Sequence, residues 1–462
     1  FMNYFYFFFF LTLAVLILIK PFVSYISDWV MRSEKLTKTG LFTVLVGMIC
    51  LYVSLGNEFW YERVWLITTF SLGILLSIRG LVVIFFFEKI KNILPFYMKN
   101  YFKFSIPISL ALICLSLFVV STDYIGPQKD ISSCESDNNI DVICDFSNPE
   151  DIVITPDNEF LLMSEFGGIG PYEEQKSGYF ALLNLKTGQK IVPKITLSEN
   201  SWGDPSCSRN NEKKYGPHGI DLIKLDNGVF KLGVVSHFPN ETIEMFELVK
   251  SGRSWNLIWR GCIDVPFKFY FNDISLKKDG SFYASHMYKR DITLNEWLLT
   301  SILKNNSGYI VKWKDNSFKK IPYTEGSGPN GIAYDEEDKM LYVNYNQGDK
   351  IVSFDMGANE GTSYSKINST FIEAPDNPYI HQNNIWVTSL DFQPNDFGEC
   401  EFKESCSLPF SIYQLDKKSL KIINKYSFNK TVFGLPTVAV PFESKIYMGS
   451  FHSDRLGVFE VD

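Results

Sequence analysis

A recurring unit governs the chain after residue 133: a polar residue, a short apolar strand, a turn rich in Asp, Asn and Gly, then an aromatic-rich strand. The copies read PEDIVITPDNEFLLMSEF, GPHGIDLIKLDNGVFKLGVVSHF, FNDISLKKDGSFYASHMY, GPNGIAYDEEDKMLYVNYN, PDNPYIHQNNIWVTSLDF and GLPTVAVPFESKIYMGSFH. Their leading polar positions fall near 150, 218, 272, 330, 376 and 436. Each interval is long enough for a four-stranded sheet, so six copies predict an all-β six-bladed β-propeller over residues 134–462. A β-sandwich would not require six equivalent openings at this period.

Residues 1–122 obey a different rule. Four apolar runs, at 4–26 (with Lys20-Pro21 inside), 41–55, 64–87 and 104–120, predict a transmembrane domain of about four α-helices. A linker over 123–133 joins it to the propeller. The first run is also long enough for a signal peptide. It lacks a basic leading segment, however, and three more runs follow, so a retained helix is expected. Of 44 Lys+Arg and 52 Asp+Glu, ten basic and five acidic residues fall in 1–122, which leaves the propeller half strongly acidic. Such a balance excludes nucleic acid as a partner, since phosphates need a basic face.

Loop charges set the orientation. Arg32, Lys35 and Lys38 follow the first run, and Lys89, Lys91, Lys99 and Lys103 follow the third. GNEFWYER, between the second and third, carries Glu58, Glu62 and only Arg63. Basic loops stay cytoplasmic, so an integral membrane protein with an extracytoplasmic propeller is expected. Arg79, inside the third run, reads as a snorkelling or paired charge. Cysteines agree with this compartment: six of the eight fall in the propeller half, without a C-x₂-C pair that would suggest zinc. Cys400–Cys406, Cys134–Cys144 and Cys207–Cys262 are the expected disulfides. Cys50 and Cys114 fall in membrane runs.

In a propeller the innermost strand of each blade lines a central channel, so the residue that starts each copy should face one axis. Those residues are Glu150-Asp151, His218, Asn272-Asp273, Asn330, Asp376-Asn377 and Thr437. One Asn or Asp alone is an ordinary strand-start or turn residue. Carboxylates and carboxamides converging in phase supply only oxygen, the donor set of Ca²⁺, which accepts six to eight such ligands.

With these residues in hand, the propeller half resembles the paraoxonase/arylesterase family of calcium-dependent lactonases. The resemblance covers nearly all of 134–462 and none of the helical segment. It is carried by N-P-E-D at 148–151, P-H-G-I at 217–220, V-V-x-H at 234–237, N-D-I at 272–274, N-G-I at 330–332 and D-N at 376–377. The interval from His218 to His237 matches the family's histidine pair. Carried over position by position, the resemblance implies two calcium ions. Glu150, Asn272, Asn330, Asp376 and Asn377 match the ligands of a catalytic ion; Asp151, Asp273 and the carbonyl of Ile220 match those of a structural one. It also implies hydrolysis of a lactone or ester, in which calcium draws the carbonyl oxygen and a base deprotonates water. His218 supported by His237 is one candidate base, and Glu150 is the other.

Two departures stand out. The family's further active-site histidine, after its I/L-W-V strand, corresponds to Leu390 in IWVTSLDF, which bears on substrate range. The family also closes its propeller with a disulfide between first and last strands. Here the last cysteine is Cys406, so closure must rest on strand pairing between the ends of the propeller. One helical segment interrupts the β pattern, TLNEWLLTSILK at 293–304, with a Thr293/Glu296 capping box and Leu294, Trp297, Leu298, Ser301 and Ile302 on one face. Similar family helices lie over the active site and touch lipid, which implies membrane lipid as a partner and a small lipophilic ester or lactone as substrate. A non-catalytic ligand-binding or adhesive propeller is the competing expectation, because fold alone does not choose between them. A sugar lactonase of the gluconolactonase type would lack P-H-G-I and want a more polar pocket.

Overall fold

Successive residues of one strand serve different neighbours in the C-terminal half. Phe160 and Leu162 pack toward the second blade, whereas Leu161 and Met163 pack toward the last. Strand geometry sends alternate side chains to opposite faces, and each blade is covered on both faces by its neighbours. Apolar runs therefore replace polar alternation: every residue of Phe160–Glu165 and of Phe271–Leu276 is buried. Six apolar clusters result, one at each contact between adjacent blades.

The computed structural model describes residues 2–121, 129–168, 176–209, 214–357, 364–391, 400 and 403–461. The chain forms two compact units, Phe1–Ile125 and Gly126–Asp462. Residues 123–128 of the expected linker lie outside the described residues.

The second unit is the six-bladed β-propeller read from the repeats. The innermost strands are Pro149–Ile154, Pro217–Lys224, Phe271–Leu276, Pro329–Asp335, Pro375–His381 and Pro436–Phe442. Each packs on the next, and the last packs on the first, which closes the ring. Five blades are four-stranded; the second gains a fifth strand where Ile195–Leu197 pairs parallel to Ser254–Asp264. Closure occurs through strands, as expected. Asp141–Ile143 pairs antiparallel with Leu456–Glu460 and completes the last blade from the other end of the unit. Arg455, fully buried, donates from Nη2 to the Ile131 carbonyl (2.6 Å), which ties the two ends of the unit together, and is held from Nε by its neighbour Asp454 (2.6 Å). The disulfides are Cys134–Cys144, Cys207–Cys262 and Cys400–Cys406; Cys50 and Cys114 are free.

The first unit contains α1 (Met2–Leu16), α2 (Lys20–Arg32), α3 (Thr37–Leu55), α4 (Val64–Phe85), α5 (Phe87–Lys99) and α6 (Tyr101–Val119). Three of these, α3, α4 and α6, are long and apolar enough to cross a membrane. A fourth span arises only if α1 and α2, bent by 84° at their junction, count as one. The expected run 4–26 is thus not one straight helix. Pro21 stands in the first turn of α2, where it has no N–H to give, so the hydrogen-bond ladder of α1 cannot run on through it. The run 64–87 likewise ends at Phe85, and the basic segment after it is the helix α5. Helices α3 and α4 touch backbone to backbone at Gly40/Gly80 and Gly47/Gly73, where an added Cβ would fall within about 3 Å of the opposite carbonyl. Hydroxyls bridge helices elsewhere: Tyr6 to Thr69 (2.5 Å) and Ser109 to the Ala14 carbonyl (2.9 Å). Arg79 is exposed on α4.

Candidate active site

All six innermost strands open alike. The polar residue singled out in the sequence is the second of the strand, after Pro149, Pro217, Phe271, Pro329, Pro375 or Pro436. Proline suits a strand start because it has no N–H to place in the ladder. In every blade the pairing with the second strand slips register just there, between Pro149 and Asp151, Pro217 and Ile220, Phe271 and Ile274, Pro329 and Ile332, Pro375 and Pro378, and Pro436 and Ala439. Such a bulge frees residues from strict alternation and re-aims their side chains. Consecutive polar residues, Glu150-Asp151, Asn272-Asp273 and Asp376-Asn377, are accordingly all buried beside the axis.

The first set is Glu150, Asn272, Asn330, Asp376 and Asn377. Asn377 Nδ2 donates to Glu150 Oε1 (3.0 Å). Glu150 Oε2 and the Oδ1 atoms of Asn272, Asn330 and Asn377 are buried and have no hydrogen-bond partner. Each orphaned acceptor costs roughly 1–3 kcal/mol, so their gathering is chemically purposeful. Burial, then the negative charges of Asp151, Asp376 and Asp273, push the Glu150 carboxyl well above its usual range. Burial followed by Asp151 does the same to Asp376. Among the described residues no three or more His, Cys, Asp or Glu gather into a metal cluster on their own. Two carboxylates plus three amide oxygens make instead a hard, oxygen-only donor set that fits calcium better than zinc. Glycine makes room for it: a Cβ on Gly331 would lie 2.4 Å from Asn377 Cα, and one on Gly219 2.3 Å from Asp273 Oδ1. The glycines of N-G-I and P-H-G-I are therefore spacers. Thr437, from the sixth blade, donates its hydroxyl to the Glu150 carbonyl and braces the set.

One residue further along, Asp151 and Asp273 behave differently. Asp151 accepts from its neighbour Ile152 N (2.8 Å) and from Ile220 N in the next blade (2.7 Å). Asp273 accepts from Ile274 N (2.7 Å) and from Ile332 N in the blade after it (2.7 Å). Asp221, not singled out in the sequence, accepts from Leu276 N (2.6 Å). These carboxylates are clips between blades. Burial raises all three, Asp151 to about 7 and Asp221 to about 6, against the lowering effect of those N–H groups.

A row of side chains leads away from Glu150. His218 Nε2 lies 3.6 Å from Glu150 Oε1, and its Nδ1 lies 3.3 Å from His237 Nε2. His237 Nδ1 lies 2.8 and 2.9 Å from the two oxygens of Glu241. Phe166 stacks on His218 at 4.6 Å, and Tyr270 covers His237 at 4.9 Å between ring centres. Burial, then the neighbouring His237, holds the His218 imidazole well below its ordinary value, as a neutral base. Glu241 also lines a cavity of about 490 Å³ with Asp264, Tyr270 and Arg290.

The helix expected near 293–304 is α7 (Leu294–Leu303), and its capping box is formed: Glu296 N donates to Thr293 Oγ1 and Thr293 N to Glu296 Oε2. Its packed face is narrower than the sequence suggested. Trp297 rests against Tyr270, Met287, Tyr288 and Ile292, and Ser301 accepts from Gln347 (2.9 Å). Leu294 and Leu298 are exposed, as are Leu299 and Leu303. Leu390 is buried in an apolar cluster with Ala374, Leu408, Leu435 and the Cys400–Cys406 pair, so no imidazole stands there.

The model of the arylesterase family matches residues 138–456, the propeller up to the start of its last strand. The chain belongs to the arylesterase family. No curated protein matches it. Among solved structures it is similar to a luciferin-regenerating enzyme (13% identity, TM-score 0.41, covering 68% of this chain and 92% of that one). It is also similar to the gluconolactonase XC5397 of Xanthomonas campestris (9%, 0.40, covering 74% and 96%) and to a periplasmic gluconolactonase of Pseudomonas aeruginosa (12%, 0.40, covering 68% and 82%). Family membership supports a hydrolase of the esterase or lactonase kind.

Proposed function

We propose that this protein is a membrane-tethered, calcium-dependent hydrolase of lactones or aryl esters, with its propeller on the extracytoplasmic side. The four orphaned oxygens of Glu150, Asn272, Asn330 and Asn377 carry the calcium reading. Together with Asp376 they would hold the catalytic ion. Asp151, Asp273 and the Ile220 carbonyl would hold the structural one, through the second lone pairs of oxygens that already accept N–H groups. Bound calcium supplies Lewis acidity toward the substrate carbonyl oxygen.

The chain's own groups do the proton work. Water gives a proton to His218 Nε2 as its oxygen bonds to the carbonyl carbon; the C–O bond to the leaving group then breaks, and the alkoxide takes that proton back. His218 suits this role because it is held neutral and faces Glu150. Phe166 and Tyr270 shield the pair from bulk water. The exposed leucines of α7 suit contact with lipid or a lipophilic substrate. The disulfides and apolar helices support the membrane and extracytoplasmic placement.

The test is hydrolysis of a panel of aliphatic lactones and phenyl esters by the purified full chain, with calcium and with chelator. Calcium-dependent turnover is expected. A calcium-loaded protein that turns over none of them would leave the non-catalytic propeller as the better account.

A further inference from the structure

The hydrogen-bonded row does not end at the two histidines. Glu241 stands on the turn between Phe230–Ser236 and Thr242–Ser251, nearly enclosed, with both carboxylate oxygens on His237 Nδ1. A carboxylate only accepts, so His237 Nδ1 must carry a proton and donate it. With a single proton on its ring, His237 presents a lone pair at Nε2, and the nitrogen facing it, His218 Nδ1, is then the donor. His218 is left with its own lone pair on Nε2, the nitrogen that faces Glu150. The opposite tautomers would set a bare His237 Nδ1 against a carboxylate, with both groups buried. Repulsion between two acceptors is strengthened there by the low local dielectric.

We propose that Glu241 is a positioning residue: by fixing the tautomer of His237 it fixes that of His218, and so keeps the base lone pair on the nitrogen that faces the reacting water. This rests on the hydrolase reading above. The sequence motif contains only the two histidines; the third member comes from the turn four residues after the second. The backbone of that turn is held separately, by Val265 N donating to the Glu241 carbonyl (3.1 Å), so the side chain is not needed to shape it.

Glu241→Gln tests the proposal, because Gln keeps the size but its NH₂ can donate to a bare Nδ1 and so permits the wrong tautomer. The full chain should lose about 10- to 10³-fold in kcat, with KM, calcium affinity and Tm little changed. Glu241→Asp, which keeps the carboxylate, should recover part of the loss. A merely structural role would instead move Tm and calcium affinity and leave kcat alone. Tautomers can be read directly by solid-state ¹⁵N NMR of histidine-labelled protein in bilayers, since the chain has only five histidines. His218→Gln and His237→Gln would assign the signals. Both imidazoles should carry the proton on Nδ1 in the parent and a mixture in Glu241→Gln. Full kcat in Glu241→Gln, or a parent His237 protonated on Nε2, would overturn the assignment. If the parent hydrolyses no lactone or ester, the hydrolase reading fails, and the tautomers, read without substrate, still decide the assignment of Glu241.

Discussion

Glu150 and Asp151 are neighbours in sequence, equally buried, and used in opposite ways. Glu150 shares its set with three amides, and four oxygens there have nothing to accept. Asp151 and Asp273 have a backbone N–H on each oxygen and clip one blade to the next. Buried acidic side chains thus stand among open acceptors in one layer, on which the calcium proposal rests, and form a structural joint in the adjacent one. What separates them is backbone supply: bulged strands aim N–H groups at the second layer and not at the orphaned oxygens of the first.

Glu150→Gln probes the first layer and carries the largest expected effect. Hydrolysis should fall by roughly 10²–10⁴-fold. In chelator, however, the variant should melt no lower than the parent, because Gln replaces a carboxyl whose charged form is already disfavoured by burial and by three neighbouring carboxylates. A large fall in calcium-free Tm would make Glu150 a joint like Asp151 and break the comparison.

The second layer should respond through stability. Asp273→Asn replaces an acceptor that faces an N–H with a donor, at a cost of roughly 2–4 kcal/mol, read by chemical denaturation of the full chain. Asp221→Asn should cost a similar amount, since Asp221 clips Leu276. The two differ in calcium response: the stabilisation by calcium should shrink in Asp273→Asn and persist in Asp221→Asn. Equal responses would remove Asp273 from the structural calcium site.

A buried group outside both layers provides a control. His286 accepts from Tyr270 N (3.1 Å), and burial pushes its imidazole down to about 4, from an ordinary value near 6.5. The folded state keeps it neutral where the unfolded chain would bind a proton. Its contribution is therefore present above about pH 6.5 and lost as pH falls towards 4, by up to about 3 kcal/mol. His286→Gln should flatten that part of the stability–pH curve with or without calcium. Gly331→Ala is the smallest change: a Cβ against Asn377 should cost roughly 1–3 kcal/mol and weaken calcium binding by displacing Asn377 from Glu150.

The sixfold opening was legible because the polar residue recurs at one phase of every repeat, and closure by strands followed from the position of Cys406. The bulges that gather Glu150 and Asp151 at one axis were not legible, since register is a property of the partner strand. Glu241 and Asp221 escaped for a related reason: their roles depend on what stands opposite them, His237 Nδ1 and Leu276 N, and neither pair belongs to the repeat. A His followed four residues later by Glu on a turn was the only local hint. In the helical unit Lys20-Pro21 marked the bend. The 13-residue helix α5 mixes Lys with apolar residues at a helical period, which a count of apolar runs passes over as loop.

Calcium stoichiometry addresses the two-layer account most directly. Equilibrium dialysis of the chelator-stripped full chain should find two ions per chain of unequal affinity. In Glu150→Gln one of the two sites should be strongly weakened while the other is retained. A parent chain that binds no calcium, or a Glu150→Gln variant that binds both ions unchanged, would contradict the claim that the orphaned oxygens are a cation site.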